Sequence, residues 1–202
     1  SQYNLTATIF GRAAHAGLHP EEGINAIKVS SIAIAKMKLG RIDKETTANI
    51  GVIKGGKATN IIPDEVELKG EARSHNLRKL KRQVEHMGKI LLRTCSKSKA
   101  RLKVKVEQIY RSFEIKKKEK VLRFAVSAVK KAGVKPVVKQ TGGGSDANIL
   151  NAAGIPTIIM GVGADRVHTT SERIAIEDML KGAEIVLNLI KEASWESSKK
   201  KR

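Results

Sequence analysis

The 202-residue sequence predicts an α/β protein in two parts: an α+β first part of order β-α-β-β-α-β, then a shorter, incomplete α/β part. Two observations carry this prediction. Up to Arg111, apolar residues alternate at period two in strand-length segments and recur at helical spacing in the stretches between them. Beyond Arg111 the pattern changes to helical stretches separated by short, nearly continuous apolar runs.

In the first part, Leu5, Ala7 and Ile9 alternate with Thr6, Thr8 and Phe10, giving a strand that Gly11 ends. Residues 12–23 form a loop rich in Gly, His and Pro. Ile24, Ile27, Ser31, Ile34 and Ala35 then predict a helix to about Leu39, with Gly40 just past its end. Residues 47–54 read as a second strand, and Gly55, Gly56 and residues 59–63 as a turn. Val66, Leu68, Gly70 and Ala72 alternate with Glu65, Glu67, Lys69 and Glu71 in a third strand with one solvated side. Leu77, Leu80, Val84, Met87, Ile90 and Leu91 mark a long amphipathic helix. Leu102, Val104 and Val106 alternate with Lys103, Lys105 and Glu107 in a fourth strand. The expected result is one four-stranded antiparallel sheet with two helices on one face. It occupies residues 1–112.

The second part, residues 113–196, predicts a helix over 119–132 ended by Gly133, a strand over 134–140, a tight turn at Gly142, Gly143 and Gly144, and a short helix over 146–153. A strand over 155–160, a loop over 166–173 and a closing helix over 176–193 follow. Alternating helices and apolar strands imply a parallel sheet, but two strands do not make a stable one, so this segment reads as incomplete. Residues 197–202 read as a basic, disordered tail.

Composition bounds the function. The 41% hydrophobic content supports a real core, and no apolar run approaches the roughly 20 residues of a membrane span. No leader pattern is visible, and the opening at Ser1 reads as a trimmed start. Cys95 is the lone cysteine, which excludes an internal disulfide and fits a reducing cytoplasm. No placed base accompanies it, so it reads as a bystander thiol rather than a nucleophile. The net charge of +19 invites a polyanion partner, yet the basic residues are spread along the chain and aromatics are only 3%, so no specific nucleic-acid site is expected. The strand from Val66 to Ala72 also lacks the aromatic residues of an RNA-binding sheet.

Four segments carry candidate chemistry. They are Gly11-Arg12-Ala13-Ala14-His15-Ala16-Gly17, Ala58-Thr59-Asn60-Ile61-Ile62-Pro63-Asp64-Glu65, Thr141-Gly142-Gly143-Gly144-Ser145-Asp146-Ala147-Asn148 and Val167-His168-Thr169-Thr170-Ser171-Glu172. The triple glycine is not a phosphate loop, because no Gly-Lys-Ser/Thr follows. Backbone N–H groups of Gly143 and Gly144, at the start of a helix, suit a substrate carboxylate or carbonyl. Asp146 or Ser145 caps that helix, and for Asp146 capping is the reading preferred to a chemical role. His15 and His19 are four apart, but Gly17 and Pro20 break the helix that a His-Glu-x-x-His zinc site needs. His75 and His86 read as solvated or beside a cap, and no set of zinc ligands emerges.

In order and spacing these four segments resemble the M20 metallopeptidases, and the last two look most like the peptidase T-like branch. The resemblance implies a catalytic α/β domain into which a smaller lid is inserted, the lid having the β-α-β-β-α-β order and mediating dimerisation. Residues 1–112 then correspond to the lid and 113–196 to the C-terminal part of the catalytic domain, with the family's N-terminal metal-binding half absent. It implies a zinc-dependent peptidase that hydrolyses short peptides with metal-activated water, working as a homodimer with two zinc ions per active site. His168 matches the family's last metal ligand. His15 resembles a histidine that reaches the partner subunit's active site and steadies the oxyanion there. Asn60 matches a substrate-binding amide, and Arg73 is a candidate fork for a substrate carboxylate. Glu172 is expected to orient the ligand loop. The family's other metal ligands and its general base match nothing here, and one imidazole cannot hold zinc, so the chain alone is expected to be inactive. The alternative is a dimerisation or substrate-binding module without chemistry.

Overall fold

In the computed structural model, which describes residues 1–199 and side chains through Trp195, the period-two segments form one antiparallel sheet. Its strands are β1 (Gln2–Phe10), β2 (Gly40–Arg41), β3 (Thr46–Gly55), β4 (Glu65–Ser74) and β5 (Arg101–Tyr110), in the order β2-β3-β4-β1-β5. Two helices, α1 (Ala26–Lys36) and α2 (Leu77–Lys97), complete this α+β unit. It ends at Ser112, and a second compact unit begins at Phe113.

The alternation decides what is buried. Leu5, Ala7 and Ile9 of β1, Val66, Leu68 and Ala72 of β4 and Ala48 of β3 join one core with Ala26, Val29 and Ala33 of α1 and Leu80, Val84, Met87 and Leu91 of α2. Each fully buried Leu or Met in this layer stabilises by about 2 kcal/mol. Their strand neighbours stay on the opposite, polar face, where Lys69 pairs with Glu67 at 3.2 Å and Lys105 with Glu107 at 2.8 Å. Each helix opens on an Asn cap: Asn25 accepts from the Lys28 N–H, and Asn76 from those of Arg78 and Lys79.

The sheet has a fifth strand beyond the expected four, and the reason lies at the end of α1. Gly40 does not end this helix. The helix stops at Lys36 with Met37 extended, because two side chains of α2 take the Lys38 peptide groups. Gln83 Nε2 donates to the Lys38 carbonyl at 2.7 Å, and the Lys38 N–H donates to His86 Nε2 at 3.1 Å. His86 is therefore a clamp between elements rather than a solvated residue. Gly40, at φ +76°, instead starts the two-residue β2, which pairs with Thr47 and Ala48.

Cys95 is buried on α2, and burial pushes its thiol pKa up. A raised thiol pKa leaves less thiolate at any given pH, and the thiolate is the reactive form. Native chain is expected to react with a thiol reagent at least about tenfold more slowly than unfolded chain, read by absorbance in buffer and in denaturant.

The second unit contains α3 (Lys120–Lys131), α4 (Asp146–Ala152) and α5 (Ile176–Lys199). Leu122, Ala125 and Ala128 form the buried face of α3. Lys181 on α5 donates to the Ala132 carbonyl at 2.8 Å, and Ser127 donates to Glu192 at 2.7 Å. The strands expected over 134–140 and 155–160 do not form, and no residue from 113 to 199 is in a regular strand. A central parallel strand needs a hydrogen-bonded neighbour on each side and apolar layers above and below. None is present among the described residues of this unit: Val137 and Val138 are each 66% exposed and Ile155 is 54% exposed. Residues 197–199 of the expected tail are the last of α5, and the rest of that tail lies outside the described residues. Among the described residues no helix is long and apolar enough to cross a membrane.

Candidate functional site

Two loops at one end of the sheet are stitched together by their backbones. Gly11 N–H donates to the Asp64 carbonyl at 2.8 Å, and Arg12 and Ile24 exchange hydrogen bonds at 3.0 and 2.9 Å. Further along, Ala16 N–H donates to the Asn60 carbonyl and Ile62 N–H to the Ala14 carbonyl, both at 2.9 Å, which sets His15 opposite Ile61 in an isolated bridge. The structure thus brings His15 and Asn60 together. His15 and Asn60 are both exposed.

The His15 ring is held by its own loop. Its Nδ1 accepts from the N–H groups of Gly17 and Leu18, each at 3.1 Å. Sequence reading found the histidine but not these two partners. The signal was present in the His-x-Gly order, since a short acceptor side chain two residues before a glycine is the pattern of a side-chain-closed turn.

Arg73 is placed elsewhere. It lies eight residues along β4 from Glu65, at roughly 3.3 Å per residue about 26 Å from the His15 end. Its fork is engaged by Glu71, with Nε and Nη2 donating at 2.8 and 2.9 Å, while Gln2 donates to the same carboxylate at 3.0 Å. The hydrogen bonds to Glu71 raise the guanidinium pKa further, opposed by partial burial. Within one copy, Arg73 does not join His15 and Asn60.

His168 sits in a closed loop of the second unit. Asp165 and Arg173 exchange backbone hydrogen bonds at 2.8 and 3.2 Å and pair through their side chains at 3.6 Å. Inside this loop His168 adopts φ +64°. That region costs a non-glycine residue about 1–2 kcal/mol and concentrates at functional positions. The Glu172 carboxylate accepts from the His168 N–H at 3.0 Å, so it fixes the backbone that carries the imidazole. The ring itself is exposed.

Gly143 N–H donates to Thr141 Oγ1 at 3.2 Å, and neither it nor Gly142 or Gly144 has a positive φ. A methyl group at Gly142 would meet nothing within 4 Å, and at Gly143 only Thr141 Oγ1 at 3.5 Å. The described fold does not itself require glycine at these two positions. The helix cap is Ser145, which forms a reciprocal capping box with Asn148; Asp146 is the first residue inside α4 rather than the cap. The shorter Ser side chain reaches back to the Ala147 N–H at 3.2 Å from the extended position before the helix.

The donor set does not fit a two-metal centre. Such a centre needs several carboxylates and imidazoles around both ions. Among the described residues one group of three possible ligands exists, His19, Glu21 and Glu22, with ligand atoms all within 4.8 Å of one another; all three are exposed, and His168 is not among them. This group was missed from the sequence because its closeness depends on the short 3-10 helix Pro20–Glu22.

Comparison with known proteins agrees with this fold. Residues 2–98 match the model of the peptidase dimerisation domain of the M20 type, and residues 97–185 match the model of M42 glutamyl aminopeptidase. The chain is 43% identical over 194 residues to the uncharacterised protein YqjE of Bacillus subtilis, covering 96% of this chain and 52% of that one. A crystal structure of a tripeptidase from Staphylococcus aureus matches with a TM-score of 0.82 at 44% identity, covering 94% of this chain and 51% of the other. That of aminopeptidase PepT from Bacillus cereus matches at 0.77 and 42% identity, covering 96% and 52%. The chain spans about half the length of these relatives. On the strength of its dimerisation domain and these likenesses, the chain belongs to the M20 peptidases, on their peptidase T-like side.

Proposed function

We propose that this chain is the lid and C-terminal catalytic part of a zinc-dependent peptidase that cleaves short peptides, and that the rest of the metal centre comes from outside these 202 residues. The observation that carries the reading is the pair of built loops. One presents His15 beside Asn60; the other presents His168 on a strained backbone held by Glu172. The tripeptidase and aminopeptidase relatives support a short peptide as substrate. His168 supplies one metal ligand. His15 donates a hydrogen bond to the scissile carbonyl oxygen, most strongly as that oxygen gains negative charge, and Asn60 holds the substrate beside it. The N–H groups of Gly143 and Gly144 take a terminal carboxylate or carbonyl. Arg73 takes a substrate carboxylate only by exchanging it for Glu71. The lid pairs with a second copy, and the enzyme works in the cytoplasm.

The missing donors favour a second reading for the chain on its own, a dimerisation and substrate-binding module without chemistry. Zinc content tests the site. After dialysis against metal-free buffer, the 202-residue chain is expected to retain well under one zinc per chain by elemental analysis. About two per chain would overturn the placement of the centre. Light scattering tests the partner: the chain is expected to show twice the monomer mass at high concentration, and a strictly monomeric chain would remove the lid interface.

A further inference from the structure

We propose that the Gly17 and Leu18 amides are positioning groups that hold His15 as its Nε2–H tautomer, which makes this loop a fixed hydrogen-bond donor. This deepens the role given to His15 above and rests on that reading only for its catalytic consequence. A neutral imidazole has one nitrogen that donates and one that accepts. Two N–H groups point at Nδ1 of His15, both at 3.1 Å, so Nδ1 is the acceptor. The proton is left on Nε2. A second proton on Nδ1 would face two donors and have nothing to bond.

This arrangement fixes what the ring does. Nδ1 is occupied by the loop and Nε2 already carries a proton, so His15 does not take a proton from water or substrate. It offers Nε2–H to a substrate oxygen. The two amides act through the imidazole and touch no substrate themselves. Backbone N–H groups serve this purpose well, because they cannot rotate away as a side-chain donor can. A methyl group at Gly17 would lie 3.6–3.7 Å from the His15 ring, so glycine also leaves that side of the ring open.

The same chain holds its own references. His86 Nε2 accepts from the Lys38 N–H, which assigns His86 the opposite, Nδ1–H, tautomer. His75 is exposed at the turn before α2 and serves as the averaging reference. The test is a nitrogen-15 NMR spectrum of the labelled 202-residue chain at a pH where the imidazoles are neutral, with each ring assigned by loss of its signals in the His→Gln variant. The expected result is an unprotonated Nδ1 and a protonated Nε2 for His15, the reverse for His86, and nitrogen shifts for His75 closer together than those of either. A His15 pattern matching His75, or matching His86, overturns the inference.

Leu18→Pro removes one of the two N–H groups and is expected to move the His15 nitrogen shifts toward those of His75, with the backbone spectrum of the sheet unchanged. No movement in that folded variant also overturns it. If the variant does not fold, the unaltered chain still decides the tautomer. The spectrum and the enzyme assay separate the two ideas. A locked Nε2–H tautomer with full activity in His15→Ala would keep the inference and remove the proposed function of His15; averaged tautomers with lost activity would do the opposite.

Discussion

In a protein of the relatives' full length that carries this sequence, His15→Ala is expected to lower kcat by roughly 10²–10³-fold while KM changes far less. The size follows from the role. A donor aimed at a developing oxyanion acts mainly in the transition state, so its loss appears in kcat. Substrate binding, which depends on other contacts, is little affected. The loop loses two hydrogen bonds as well, because the Gly17 and Leu18 N–H groups no longer have Nδ1 to donate to. Both amides lie in an exposed loop where water replaces the imidazole, so the stability change is expected to stay within about 1 kcal/mol. His19→Ala in the same loop is the control, with kinetics near those of the unaltered protein. Steady-state hydrolysis of a short peptide measures both. An unchanged kcat in His15→Ala would remove the transition-state role, and a rise in KM alone would recast His15 as a binding group.

The first unit was legible because each strand carries its own period-two record of one buried face. Leu5, Ala7 and Ile9, or Val66, Leu68 and Ala72, mark that face without knowledge of their partners. The second unit was not, because apolar runs such as 155–160 say only that a segment favours burial on both sides. Whether it becomes a strand depends on neighbours that no local pattern contains, and in the described residues those neighbours are absent. The end of α1 failed for a related reason. Gly40 has the residue type of a helix terminator, but Gln83 and His86, more than forty residues away, decide where the chain turns.

The candidate site divides along the same line. His15, Asn60 and His168 were visible as residue types in spaced motifs. What each side chain does depends on backbone groups, which every residue has and which a sequence therefore hides. The Nδ1 of His15 is claimed by two amides, the φ of His168 is positive, and its N–H belongs to Glu172. Arg73 shows the converse. A guanidinium at a strand end looks free in sequence, and Glu71, two residues earlier on the same side of the strand, occupies it. The same pairing along strands places a glutamate two residues from Lys69 and from Lys105 on the same face, so these two lysines are locally neutralised although the net charge stays +19.

Gly11→Ala is expected to destabilise the first unit by about 3 kcal/mol, the upper end of overpacking costs. A Cβ at Gly11 would stand 1.9 Å from the Ile24 carbonyl oxygen and 3.3 Å from the Ala26 nitrogen. The blocked atom is backbone, so no side chain can swing aside to relieve it. Moving Ile24 away breaks its mutual hydrogen bonds with Arg12 and loosens the entry to α1, whose first N–H donates to the Pro63 carbonyl at 2.8 Å. The same stitching carries His15 and Asn60, so the loss of stability and the loss of the site share one cause. Gly88→Ala is the contrasting substitution. Gly88 lies inside α2, and a methyl group added there would meet nothing within 4 Å, so alanine is expected to stabilise by up to about 1 kcal/mol through helix propensity. For a domain of this size about 1 kcal/mol moves the melting temperature by about 4–8 °C, so thermal unfolding should separate the two variants by well over roughly 10 °C, in opposite directions from the parent. Equal and small shifts in both would mean that Ile24 can retreat freely, and the loop that positions His15 would then be far softer than its hydrogen bonds indicate.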